Sequence, residues 1–367
     1  MKKLIAFMTA FIVCILSVTA AAPDCFKSEL SAYAETEDTT DYKAVLDSLI
    51  RNHYISCAVL LTASDGTTLY SYNPNTALMG ASLIKLPYVY YVCQQLSNGV
   101  RSLSDTFTYT SNWYHGGSGI IRNNGYGKVY TVAQLIDYAL RYSDNVAYDI
   151  LVYLFGIDGY NNMVTSWGYN CYINNYVRFP AVTASFMTTA IEKMKAESES
   201  GECWEICWDA LINSEFSYSR SVIDDAEYVA LKYGFVPTNY HEVMYVECEM
   251  PYILTILDST RNSQADSAFI KNVASASHKM VKQYAYSLKK QAYIPGDVND
   301  DGAVDAVDAS AILTEYAWTS LGNTPTFSEL QMLSADYNSD GIVDAVDASA
   351  VLKAYAFGMV ERSTSAG

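Results

Sequence analysis

The residues best placed to do chemistry are Ser82 and Lys85, in the run Ser82-Leu83-Ile84-Lys85. At a helix start, a serine and a lysine three positions apart share one face, so the amine lies one turn from the hydroxyl and can take its proton. Two further polar clusters follow. Ser143-Asp144-Asn145 comes 61 residues on, between two helical patterns, and Lys232-Tyr233-Gly234 comes 89 residues after that, in a strand-like run. Other chemistries fail on spacing. The four histidines, His53, His115, His241 and His278, form no His-x-His or His-Glu-x-x-His pair, which argues against zinc hydrolysis. Gly116-Gly117-Ser118-Gly119 runs on into Ile120 and is no Gly-x-Ser-x-Gly elbow. The expected chemistry is nucleophilic acyl transfer without histidine.

A second cluster lies near the C-terminus, where Gly302 to Ala317 (GAVDAVDASAILTEYA) recurs almost unchanged as Gly341 to Ala356 (GIVDAVDASAVLKAYA). This is a duplicated unit. In the first copy Asp297, Asn299, Asp301, Asp305 and Asp308 take positions 1, 3, 5, 9 and 12 of a loop, with Gly302 at 6 and the carbonyl of Ala303 at 7. Asp336, Asn338, Asp340, Asp344 and Asp347 repeat this, with Gly341 and the carbonyl of Ile342. These are the oxygen-ligand positions of an EF-hand loop, suited to Ca²⁺.

The elements that must hold the first set are legible from periodicity. Apolar spacing predicts a helix over Tyr42 to Arg51 and a hairpin from Ile55 to Ala63 and Thr67 to Tyr72 around Asp65-Gly66. Helices are expected at Ser82 to Leu96, Thr131 to Tyr142, Asn145 to Phe155 and Thr183 to Met194. Three strands, Glu227 to Phe235, Glu242 to Cys248 and Tyr252 to Leu257, precede a helix from about Ser263 to Lys289. Strands from both ends would form one antiparallel sheet covered by the terminal helices, with the helical block as a second lobe and a cleft between.

The opening MKKLIAFMTAFIVCILSVTAAA has two lysines, an apolar run shorter than a membrane span, and small residues, which predicts a secretory signal peptide over 1–22. A polar linker over 23–40 follows, then a domain over 41–290, a joint at 291–295, the duplicated unit over 296–361 and a tail at 362–367. No membrane segment is expected in the mature form. Removing Cys14 leaves seven cysteines, Cys25, Cys57, Cys93, Cys171, Cys203, Cys207 and Cys248, an odd set that argues against dense disulfide stapling. Cys203 and Cys207 share a helix face and are expected to pack. The tyrosine cluster Tyr88, Tyr90, Tyr91 reads as core rather than a carbohydrate platform. His115 and Arg122, near the Gly-Ser-Gly run, are left out of the site. The net charge of -17, with no basic stripe, excludes nucleic acid.

In their order, Ser82-x-x-Lys85, Ser143-Asp144-Asn145 and Lys232-Tyr233-Gly234 resemble the active-site set of the penicillin-recognising serine hydrolases, most closely the class A β-lactamase branch. Gly117-Ser118-Gly119-Ile120-Ile121 and the helix opening at Asn145-Val146-Ala147 strengthen the likeness, which spans roughly residues 42 to 290. It implies an α+β fold, with a five-stranded antiparallel sheet flanked by helices plus an all-helical lobe. The implied roles are Ser82 as nucleophile, Lys85 as its base with Lys232 as the neighbouring cation, and Ser143 as proton relay. Asn145 would hold Lys85 and the substrate, Lys232, Tyr233 and Gly234 would bind a substrate carboxylate, and the N–H groups of Ser82 and Phe235 would form the oxyanion hole. Tyr233 replaces the family's Thr or Ser. No Glu-x-x-x-Asn occurs between Asn145 and Lys232, and 167–183 holds no acidic residue. Turnover of a β-lactam is therefore expected to be slow, pointing to a D,D-peptidase, transpeptidase or esterase on a small-molecule or peptide acyl substrate. The alternative is a degenerate module that binds a peptide or wall fragment.

The duplicated unit, with Asp in place of Glu at position 12, resembles a type I dockerin, a small all-α tandem module that attaches secreted enzymes to cohesin domains of a cellulosome scaffold. The likeness covers about 294 to 360. It implies two Ca²⁺ and a cohesin partner chosen by loop positions 10 and 11, here Ala306-Val307 and Ala345-Val346, and hence an extracellular, scaffold-borne protein. Twelve of the 40 acidic residues lie beyond 294, against Lys353 and Arg362, so much of the acidity belongs to this module.

Overall fold

The structure is a computed structural model describing residues 38–53, 56–259 and 263–364. The expected signal peptide, Cys25 and most of the 23–40 linker lie outside the described residues. Residues 40–285 form one compact unit, and those from 286 on belong to a second.

In the first unit, α1 (Tyr42–His53) precedes the hairpin β1 (Cys57–Ala63) and β2 (Thr68–Tyr72). Short β3 (Leu78–Met79) and a 3₁₀ turn, Ala81–Ile84, lead into α2 (Lys85–Ser97). Then come β4 (Thr106–Thr108), β5 (Val129–Thr131), α3 (Val132–Arg141), α4 (Asn145–Phe155), α5 (Asp158–Ser166), β6 (Ala181–Val182), α6 (Ala184–Glu197) and α7 (Glu202–Ile212). The strands β7 (Tyr228–Val236), β8 (Asn239–Glu247) and β9 (Tyr252–Asp258) and the helix α8 (Ser263–Ala292) close it. The expected helices omit α5, which buries few apolar positions, and α7, although Cys203, Trp204, Cys207, Trp208 and Leu211 form one buried face there, and α8 runs past 290 into the expected joint.

The main sheet is antiparallel in the order β2-β1-β9-β8-β7, so strands from both ends of the unit do share it. Central β9 is buried along its whole length because both faces are covered. One face packs Leu231, Tyr233 and Met244 against Leu46 of α1 and Ile270 and Val273 of α8. The other packs Ala230, Val243 and Leu257 against the helical lobe, including Tyr88, Leu135 and Tyr148. The tyrosines thus serve the core, as expected.

The cysteine expectation needs correction. Cys203 does not merely pack: it is disulfide-bonded to Cys93, tying α7 to α2 across 110 residues, and Cys207 lies 3.4 Å from the Cys93 sulfur. Helix-face spacing brings Cys203 and Cys207 together, but the partner on another helix leaves no local signal.

In the second unit, α9 (Ala306–Ser320), α10 (Glu329–Ala335) and α11 (Ala345–Thr364) bury a small apolar core, with Ile312 and Val351 fully enclosed. Each of α9 and α11 follows one aspartate-rich loop. Among the described residues no helix is long and apolar enough to cross a membrane.

Candidate active site

Ser82 sits in the 3₁₀ turn that opens α2, so Lys85 begins the helix beneath it. The turn is tightly placed. Gly80 N–H donates to the Pro180 carbonyl at 3.1 Å, and buried His241 accepts from Asp258 N–H at Nδ1 (2.9 Å) and donates from Nε2 to the Met79 carbonyl (2.6 Å). Burial pulls the His241 imidazole down to about 4, so it serves as a neutral strut. Gly234 lets β7 close on the turn, since a Cβ there would lie 3.0 Å from the Gly80 carbonyl oxygen and 3.2 Å from Leu83 N. Ser82 and Phe235, next to that contact, both line one cavity.

Ser143 precedes α4 in a left-handed conformation (φ 52°), a strained setting for a residue with a side chain. Asp144 stabilises it. Fully buried, it caps α4 through Ala147 N–H (2.9 Å) and accepts from Ile120 N–H (2.6 Å) and Ile121 N–H (2.8 Å). Gly119, at φ 112°, passes so close that a Cβ would lie 2.3 Å from the Asp144 carboxyl carbon, which explains the Gly-Ser-Gly-Ile run. Asp144→Ala strands three N–H groups, two of them in buried hydrogen bonds, and should cost about 3 kcal/mol or more. The check is thermal melting of the full chain, with a fall of roughly 10 °C in the main transition.

Lys85 is the hub. Its fully buried amine lies 3.1 Å from Ser82 Oγ, 2.7 Å from Asn145 Oδ1 and 3.3 Å from Ser143 Oγ, and it also contacts the Ser143 carbonyl. Tyr148 and Phe179 rings stand 6.0 and 5.7 Å from Nζ. Burial pulls the amine down to about 7, against the opposing pull of Asp144 and Asp149. A neutral amine has two N–H bonds and one lone pair. The Asn145 and Ser143 carbonyl oxygens can only accept, so the lone pair is left for a serine hydroxyl.

Lys232 is also fully buried, and burial, then the nearby Lys85, holds its amine well below the ordinary value, with Glu215 opposing. Its Nζ donates to the Tyr233 carbonyl at 2.8 Å and lies 4.2 Å from the Tyr233 ring centroid. Tyr233 donates its hydroxyl to Glu215 at 2.8 Å and packs on Phe216. Burial and Glu215 raise that hydroxyl's pKa, while a hydrogen bond with Ser143 lowers it.

Ser82 and Asn145 open onto a cavity of about 490 Å³. Its polar lining comprises Ser82, Ser118, Asn145 and His115; Met79, Phe179, Phe235, Val236 and Pro237 supply the apolar wall. Of the expected site residues, Lys85, Ser143, Lys232, Tyr233 and Gly234 lie outside that lining. His115, set aside in the sequence, is inside it, with Nδ1 2.5 Å from Asp149 Oδ2. The available signal was Asp149 one helical turn after Asn145.

The model for the beta-lactamase enzyme family matches residues 42–284. This chain belongs to that family. A dockerin type I domain follows, matched over residues 295–355. Among solved structures, a β-lactamase from Sphaerobacter thermophilus is 18% identical and superposes with a TM-score of 0.60, covering 67% of this chain and 98% of that one. PBP-A is 15% identical at a TM-score of 0.60, covering 68% and 100%. A PBP-A variant solved as an acyl-enzyme complex with penicillin G is also 15% identical at 0.60, covering 68% and 99%. These likenesses carry the fold. No curated protein matches the sequence.

The β-lactamase fold is thus joined to a dockerin, whose two loops repeat in detail. Asp297 accepts from Asp301 and Gly302 N–H (3.2 and 2.9 Å), as Asp336 does from Asp340 and Gly341 N–H (3.0 and 2.9 Å). Gly302 and Gly341 turn at φ 82° and 85°. At position 12, Asp308 and Asp347 are fully buried and reach back to the N–H groups of Asp305 and Asp344 at 2.9 and 3.0 Å. Each loop gathers hard oxygen donors without a basic side chain of its own, which fits a cation such as Ca²⁺. Val307 and Val346 are exposed on the first turns of α9 and α11, beside Ala306 and Ala345.

Proposed function

We propose that this chain is a secreted serine acyl hydrolase carried on scaffold cohesins by its dockerin. The observation that carries the reading is the Lys85 amine, buried, with its N–H groups donated to Asn145 Oδ1 and the Ser143 carbonyl, and 3.1 Å from Ser82 Oγ. Ser82 attacks an acyl carbonyl while Lys85 takes its proton, and Ser143 passes that proton to the leaving atom. The N–H groups of Ser82 and Phe235 receive the oxyanion. With Tyr233 turned to Glu215, the grip on a substrate carboxylate is weaker than in a β-lactamase, which favours a D,D-peptidase, transpeptidase or esterase activity. The dockerin holds two Ca²⁺, one per loop, and presents Ala306-Val307 or Ala345-Val346 to a cohesin.

The turning away of Tyr233 also supports a second reading, a module that binds a peptide or wall fragment without turnover. Incubation with a fluorescent penicillin and with an activated ester separates them. A covalent mass increase, lost in Ser82→Ala, is expected; no adduct and no ester cleavage would leave the binding module.

A further inference from the structure

We infer that His115, oriented by Asp149, is the base that activates the water releasing the acyl group from Ser82. This rests on the acyl-enzyme reading above. Segment 167–183 offers no carboxylate for that task and instead turns the Phe179 ring toward Lys85. Of the acids near the amine, Asp144 is engaged by three backbone N–H groups and Asp149 by His115.

His115 has the geometry for it. An ionised carboxylate only accepts, so the 2.5 Å contact with Asp149 places the proton on Nδ1 and leaves Nε2 with its lone pair. Nε2 has no protein partner among the described residues. The next residue, Gly116, holds Asn145 Nδ2 through its carbonyl at 2.8 Å, and Asn145 holds Lys85 at 2.7 Å. Asn145 and Asp149 stand one turn apart on α4, so this segment grips one helix face and sets the imidazole on the wall of the cavity that contains Ser82.

In the step, the water oxygen bonds to the acyl carbon as His115 Nε2 takes one water proton. The bond from that carbon to Ser82 Oγ breaks, and the proton held by His115 returns to Oγ with Lys85 as relay. The products are the carboxylic acid and free Ser82, with water the only co-reactant.

The test measures adduct lifetime on the full chain by intact mass, using fluorescent penicillin and an activated ester. His115→Ala should still be labelled to completion but hold the acyl group about 100-fold longer. Added imidazole should shorten that lifetime in His115→Ala and not in Ser82-labelled, otherwise unaltered protein. Asp149→Asn should lengthen it less, with His115 still present. An unchanged lifetime in His115→Ala would overturn the assignment. A lengthened one that imidazole cannot rescue would also overturn it, by making His115 structural. No adduct in the unaltered chain would sink both this inference and the acyl-enzyme reading, whereas a normal adduct with unchanged release sinks only this one.

Discussion

Lys85→Met should lower the rate of Ser82 acylation by about 10³- to 10⁴-fold while leaving the fold intact. Methionine fills a similar volume, and the change removes a buried amine, so packing is largely kept. What disappears is the amine whose lone pair is left to face Ser82 Oγ. The pH dependence gives the matching test. Lys85 acts as a base only when neutral, and burial brings it down to about 7. Acylation by the unaltered chain should therefore fall about tenfold per unit as pH drops below 7 and level off above it. Lys85→Met should lose that inflection. Quenched-flow mass measurements from pH 5 to 9 decide it, and a flat profile in the unaltered chain would remove Lys85 from the role of base.

Calcium removal should abolish the fold of the dockerin and its docking to cohesin. Each loop crowds four aspartates at ligand positions, and like charges repel by about 4 kcal/mol for a pair 4 Å apart near a protein surface. Against this the module offers a core of a few apolar side chains around Ile312 and Val351. On the proposed reading a cation in each loop would convert the repulsion into ligation, so that metal binding would supply the folding energy. With excess chelator, limited proteolysis of the full chain should cut beyond residue 295 and helicity should fall, while labelling of Ser82 persists. A dockerin segment equally resistant in chelator would contradict this.

Much of both sites was legible because their geometry is local. Ser82 and Lys85 share a helical turn, and the aspartates of each loop fall within twelve positions with a glycine at the bend, so spacing alone specifies which atoms converge. Amphipathic stripes likewise marked α1, α3, α4 and the sheet strands. In α5 just Tyr160, Met163 and Val164 are buried, too few to mark a stripe.

Taken alone, then, the sequence put Ser82 and Lys85 one turn apart, set out the two aspartate-rich loops and ordered most of the helices and strands, all through neighbours within a few turns of chain. Tertiary structure decided the rest. Cys93 meets Cys203, His115 meets Asp149 34 positions away, and Tyr233 turns its hydroxyl to Glu215 rather than into the cavity. Those contacts depend on how α2, α4, α7 and the edge strand β7 pack. Packing is a property of whole surfaces brought together, which no local spacing encodes.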